Sequence, residues 1–98
     1  MNTDKLVTYS IIRKLANIAS SCIAEELDCT LESETEVSIY NVPVKRDKVI
    51  EAKKKFESIT DCNSIEEVKT LCVGYTVPME LIWANPIFRE LQLQINKL

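Results

Sequence analysis

A single glycine, Gly74, and three prolines in 98 residues constrain this chain more than any motif it carries. Glycine supplies positive φ and proline supplies hard breaks, so their scarcity leaves few places for tight turns and predicts a helix-rich fold with short connections. Sandwiches and propellers, which must reverse direction repeatedly, are disfavoured. An apolar content of 46% lies inside the globular range, and the length allows one domain spanning 1–98. A domain this short buries only about 60 to 65% of the surface its unfolded chain exposes, so a second copy or a bound partner is a natural source of further burial.

Periodicity assigns the elements to a small α+β domain. From Asp4 to about Leu27, Ile12, Leu15, Ala16, Ala19, Cys22, Ile23 and Leu27 recur at steps of three and four, opposite Arg13, Lys14, Asn17, Ser20, Ser21 and Glu25. This predicts a long N-terminal helix with Thr3 as its cap. Val7, Ile11 and Ile18 widen the stripe and predict packing against more than one neighbour. Residues 35–44 alternate as an extended segment, Val37 and Ile39 to one side and Ser38, Tyr40, Val42 and Val44 to the other, with Pro43 placing it at a sheet edge or end. Asp47 is read as the cap of a helix to about Ile59, with Val49, Ile50, Ala52, Phe56 and Ile59 on its apolar face. Ser64 and Glu67 form a capping-box pattern ahead of Ile65, Val68 and Leu71. The alternation of Leu71, Val73, Tyr75 and Val77 favours a second strand over 71–77, the alternative being a helix ended by Gly74. Asn85 and Pro86 start a C-terminal amphipathic helix carrying Ile87, Phe88, Leu91, Ile95 and Leu98, and Trp83 extends that stripe toward the core.

Charge is sorted along the chain. Residues 15–44 contain no Lys or Arg and hold Glu25, Glu26, Asp28, Glu32, Glu34 and Glu36, whereas Lys45, Arg46, Lys48, Lys53, Lys54 and Lys55 follow within eleven residues. The net charge of −3 therefore conceals two opposed blocks. Such fields select partners and steer association without defining a reaction.

Most catalytic chemistries lack a necessary part. No His is present, which removes the commonest general base, metal ligand and activator of a nucleophilic Ser or Cys. One glycine cannot build a phosphate-binding loop or a nucleophile elbow. The adjacent carboxylates Glu25 with Glu26 and Glu66 with Glu67 diverge on a helix. Cys22, Cys29, Cys62 and Cys72 contain no C-x-x-C pair, so neither a zinc site nor any cofactor is expected. Arg13 and Lys14 interrupt the N-terminal apolar stretch, and no run approaches the roughly twenty apolar residues of a membrane span. The expected setting is cytoplasmic, with reduced thiols.

These observations predict a non-enzymatic protein that binds a protein partner stoichiometrically, as an inhibitor or regulator. In its acidic, His-free composition and its size the chain resembles a small phage-type or accessory inhibitor. The candidate partner-binding residues are Glu32, Glu34 and Glu36, whose spacing of two aligns three carboxylates on an extended chain, together with Tyr40. The alternative is nucleotide or nucleic-acid binding, with Lys45, Arg46, Lys48, Lys53, Lys54 and Lys55 on phosphates and Tyr40 stacked on a base. The acidic and basic blocks of two copies are also mutually attractive, which makes a homo-oligomer a further candidate.

Overall fold

The apolar periodicity of the first 28 residues closes into one helix, and the remaining elements are laid along it. The structure, a computed structural model, describes residues 3–98, with side chains from Lys5 onward, so the cap read at Thr3 lies outside the described side chains. The elements are α1 (Thr3–Asp28), β1 (Glu36–Ile39), β2 (Val42–Lys45), α2 (Arg46–Thr60), α3 (Ile65–Cys72), α4 (Met79–Ala84) and α5 (Pro86–Ile95). The class is α+β, with the long N-terminal helix, two strands and the C-terminal helix that periodicity indicates. At about 1.5 Å per residue α1 is about 39 Å long and runs most of the 48 Å length of the molecule.

On α1 the fully buried residues are Ile12, Ala16, Ala19 and Ile23. Two of the four are alanines, and their small size lets neighbours approach closely. Helix α2 covers this face most extensively, through Val49, Ala52, Phe56 and Ile59, and α5 covers it next, through Phe88, Leu91 and Ile95. The Phe56 and Phe88 rings stack with centroids 6.2 Å apart and planes at 28°. Val7, Ile11 and Ile18 do not supply the extra packing expected of them; all three are exposed.

The strands differ in place from the periodicity reading. Segment 35–44 is not one strand. It folds back on itself as an antiparallel hairpin in the register Glu36↔Lys45, Val37↔Val44, Ser38↔Pro43 and Ile39↔Val42. Tyr40 and Asn41 form the two-residue turn, with φ of 48° and 68°. Positive φ at both central residues is what a type I′ turn requires, and here it is met without glycine. The reversal carries Val44 to the same buried face as Val37 and Ile39, instead of the opposite one. Pro43 sits on the open edge of β2, where its missing N–H costs no ladder bond.

Segment 71–77 is not a strand. Leu71 and Cys72 complete the stripe of α3, Val73 leaves the helix at φ −59° and ψ 123°, and Gly74 at φ 71° completes a tight turn in which the Tyr75 N–H donates to the Cys72 carbonyl at 3.0 Å. The segment beyond is held by α5, the Val77 N–H donating to Gln92 Oε1 at 2.6 Å. The apparent alternation joins the end of a helical period to an irregular crossing, in which Val73 is 75% exposed and Val77 is buried.

Helices α3 and α5 start on side-chain caps, whereas α2 and α4 do not. Ser64 Oγ accepts from the Glu67 N–H at 3.2 Å while Glu67 Oε2 accepts from the Asn63 N–H at 2.9 Å, and Asn85 Oδ1 accepts from the Ile87 N–H at 2.9 Å. Asp47, in contrast, is not the cap of α2. The cap position is Lys45, two residues earlier at the end of β2, and the Arg46 N–H is satisfied by the Thr35 carbonyl at 2.8 Å. Asp47 lies in the first turn, where its charge favours the helix dipole.

Two outcomes follow for stability. A Cβ at Gly74 would meet no atom within 4 Å, so Gly74→Ala should cost only the left-handed backbone penalty, about 1 kcal/mol by urea denaturation, and Gly74→Asn less. Burial pushes the Tyr75 phenol from the ordinary 10.0 up to about 12. Between those values the folded chain keeps a proton that the unfolded chain releases, so this contribution is complete below pH 10 and is lost as pH rises toward 12. The Tyr75 hydroxyl is buried without a hydrogen-bond partner among the described residues. Tyr75→Phe should therefore cost little at neutral pH and flatten the alkaline fall in the denaturation midpoint.

Candidate partner interface

The acidic segment between α1 and β1 is a folded turn, not an extended ridge. The Cys29 N–H donates to the Glu25 carbonyl at 3.3 Å, the Thr30 N–H to the Leu27 carbonyl at 3.1 Å, and the Thr30 hydroxyl to the Glu26 carbonyl at 2.7 Å, closing the end of α1. The Glu34 N–H donates to the Leu31 carbonyl at 3.0 Å. The spacing of two in Glu32, Glu34 and Glu36 therefore lacks the strand geometry that would align it, and only Glu36 lies in β1. All three are nevertheless exposed and border one shallow concavity with Thr35, Lys45, Arg46 and Asp47.

Arg46 holds this turn in place. Its Nε donates to the Glu34 carbonyl at 2.6 Å, a terminal guanidinium nitrogen donates to the Leu31 carbonyl, and its backbone N–H binds Thr35. One side chain thus gathers the backbone of the turn while the carboxylates point away to solvent. Tyr40 is not brought into the concavity. It stands at the opposite end of the hairpin, where its hydroxyl donates to Cys22 Sγ at 3.2 Å. That hydrogen bond, followed by desolvation and the nearby negative charge of Glu25 and Glu26, raises the Tyr40 phenol above its ordinary range.

The basic block meets a different fate. Besides Arg46, Lys48 Nζ pairs with Glu80 Oε2 at 3.0 Å and Lys53 Nζ pairs with Glu57 Oε1 at 3.1 Å. Lys55 Nζ donates to the Leu71 carbonyl at 3.0 Å near the end of α3, and lies 5.1 Å from the centre of the Tyr75 ring. Of the six cations, Lys45 and Lys54 alone make no side-chain hydrogen bond or ion pair among the described residues. Neither of the two recorded ion pairs uses a carboxylate of the 25–36 block.

One interface-type residue runs against its sequence pattern. Trp83 is 71% exposed and Met79, one turn before it, is 52% exposed. The stripe from Trp83 to Ile95 is broken because Asn85 is extended, at φ −157° and ψ 138°, so the helical phase restarts at Pro86. Helix α4 buries Leu81 and leaves Met79 and Trp83 on the other face. It adjoins the acidic end through Lys45, which lies across from Glu36. The Glu80 carboxyl is held below its usual range first by its own backbone N–H, then by Lys48, with the Lys45 charge adding to this. The signal that could have marked Trp83 is the Asn-Pro pair two residues on, which resets the period.

Among the described residues no three His, Cys, Asp or Glu side chains converge as a cation site. All four cysteines are free, and burial pushes the Cys62 and Cys72 thiols up, away from the reactive thiolate. No known protein family, curated protein or solved structure is detectably similar to this chain.

If Arg46 organises the acidic turn, Arg46→Ala should cost about 0.5 to 1.5 kcal/mol by urea denaturation, the net worth of exposed hydrogen bonds that water can partly replace. Amide exchange of Glu34 should rise selectively, while amides in the middle of α1 keep their protection.

Proposed function

We propose that the protein works stoichiometrically, by docking its acidic end onto a basic surface of a partner protein. The observation that carries this reading is the unequal fate of the two charged blocks. Four of the six cations are spent on carbonyls and carboxylates of the chain itself, whereas the carboxylates around Glu32, Glu34 and Glu36 face solvent with no recorded ion pair. Carboxylates on a preformed turn give orientation and rapid association with a positive patch. Trp83 and Met79, on the helix adjoining this end, supply the apolar anchor that a charged rim by itself lacks.

The same observation weighs against phosphate binding. Free Lys45 stands beside Glu36 and Glu80, and free Lys54 lies on the middle of α2, so no continuous track of cations remains for a nucleic-acid backbone. A small regulator or inhibitor of a basic partner fits the surface better than a nucleotide binder or an enzyme.

The immobilised protein should capture a partner from native extract, and nuclease treatment should not release it. Glu32→Lys combined with Glu34→Lys should abolish capture at an unchanged circular dichroism spectrum, and Trp83→Ala should weaken it by about 2 kcal/mol in a titration against the recovered partner. Saturation should occur at a fixed molar ratio. Undiminished capture by the charge-reversed variant would overturn the reading, and steep salt-dependent binding of plain duplex DNA would favour the alternative.

A further inference from the structure

The two edges of the hairpin are not equivalent. Bonded and unbonded pairs alternate in an antiparallel ladder, and the two-residue turn makes Ile39 and Val42 the first bonded pair. Val37 and Val44 are the next. Glu36 with Lys45 and Ser38 with Pro43 are then the unbonded pairs, so the backbone N–H and C=O of Glu36 and Ser38 are directed out of the hairpin along β1. Among the described residues no hydrogen bond to these groups is present, and both residues are exposed.

The edge of β2 is closed to a further strand. Pro43 has no N–H to give, and α4 lies against β2. The edge of β1 lacks both obstacles: its main helix contacts are with α1 and α2, whose buried residues share the core with Val37 and Ile39. An unpaired edge of this kind is a template for an extended chain.

Charge decides which chain. Glu36 stands on the exposed face of β1, Glu32 and Glu34 are exposed in the turn before it, and the negative charge of Glu25 and Glu26 reaches Tyr40 just past its end. The strand is thus flanked by acid at both ends. Of the nearby cations, Lys45 is across the ladder on β2, and Arg46 is held by the carbonyls of Leu31 and Glu34. A second copy would bring an identical acidic edge against this one, which like charge opposes. A strand with Lys or Arg at alternate residues would instead set its cations beside Glu36 on the face they share.

We infer that the edge of β1 binds an extended, cationic segment of the partner by strand addition, with backbone groups of Glu36 and Ser38 supplying the hydrogen bonds and Glu32, Glu34 and Glu36 the opposing charge. This rests on the acidic end being the docking surface, and adds the form that the bound chain takes.

The probe is a short blocked peptide of alternating Lys and Val, titrated at low salt into the isotope-labelled full chain. Its binding should slow amide exchange at Glu36 and Ser38 by about tenfold or more. The same peptide methylated on its backbone nitrogens keeps the charges but loses the donors, and should bind about tenfold more weakly. Ser38→Pro removes an N–H that the ladder does not use, so circular dichroism should be retained while affinity for the peptide falls by a similar factor. Glu32→Lys with Glu34→Lys should lower it as well. No binding of the alternating peptide, or equal binding of its methylated form with exchange at Ser38 unchanged, would overturn strand addition. If that equal binding were still lost in the charge-reversed variant, the acidic end would stand as a docking surface without an added strand. Binding indifferent to both Ser38→Pro and the charge reversal would overturn the two readings together. A doubled mass in sedimentation equilibrium, lost in Ser38→Pro, would give the edge to a second copy and overturn the cationic occupant.

Discussion

The contact of α1 with α2, through Ile12, Ala16, Ala19 and Ile23 on one side and Val49, Ala52, Phe56 and Ile59 on the other, is the interaction on which the rest of the structure depends. Two alanines at the centre of α1 and one on α2 set a close approach, and the larger residues around them close the layer. Helix α5 then completes the core by placing Phe88 on Phe56. The hairpin adds Val37, Ile39 and Val44 at one end of the same core, so its two strands need no further sheet. A two-stranded sheet is marginal alone, and here the helices provide its buried face.

The same helix pair explains why charge in this chain is segregated. The basic residues of α2 lie where the acidic turn, α4 and α3 come near it, and each approach is closed by one of them. Arg46 takes the carbonyls of the turn, Lys48 takes Glu80 on α4, and Lys55 takes the Leu71 carbonyl near the C-terminal end of α3, where a cation also opposes the helix dipole. The positive block is thus largely internal stitching. The negative block is what remains on the surface, so a nearly balanced chain presents an acidic end.

Much of this architecture was legible in the residues themselves. The period of α1, the stripe of α2, the capping box at Ser64 and Glu67, and the Asn85–Pro86 start all carry local signals that local geometry obeys. The parts that were not legible depend on distant contacts. Nothing in Tyr40–Asn41 announces a reversal, because the usual glycine is absent, and the hairpin is supported by Cys22 on α1. Leu71 to Val77 alternates by coincidence, and the turn at Val73 and Gly74 decides the matter by closing off α3. For the candidate site, the carboxylates are identifiable as a block, but their spacing aligns them only on an extended chain, whereas Arg46 folds that chain into a turn. The sequence pattern points Trp83 at the core because it does not show that the chain is extended at Asn85, which shifts the phase of the stripe, and it points Ile18 inward because burial of one flank of a helix is indistinguishable in sequence from burial of two.

The turn at Tyr40 and Asn41 makes the hairpin a dependent part of the fold. Left-handed backbone at a tyrosine is disfavoured by about 1 kcal/mol or more, and no glycine offsets it locally. A two-stranded hairpin is marginal alone even with a favourable turn. This one draws its support from the helices, through the hydrogen bond of the Tyr40 hydroxyl to Cys22 and the cover over Val37, Ile39 and Val44. The strands are guests of the helical layer, and their conformation is set by the surface they rest on.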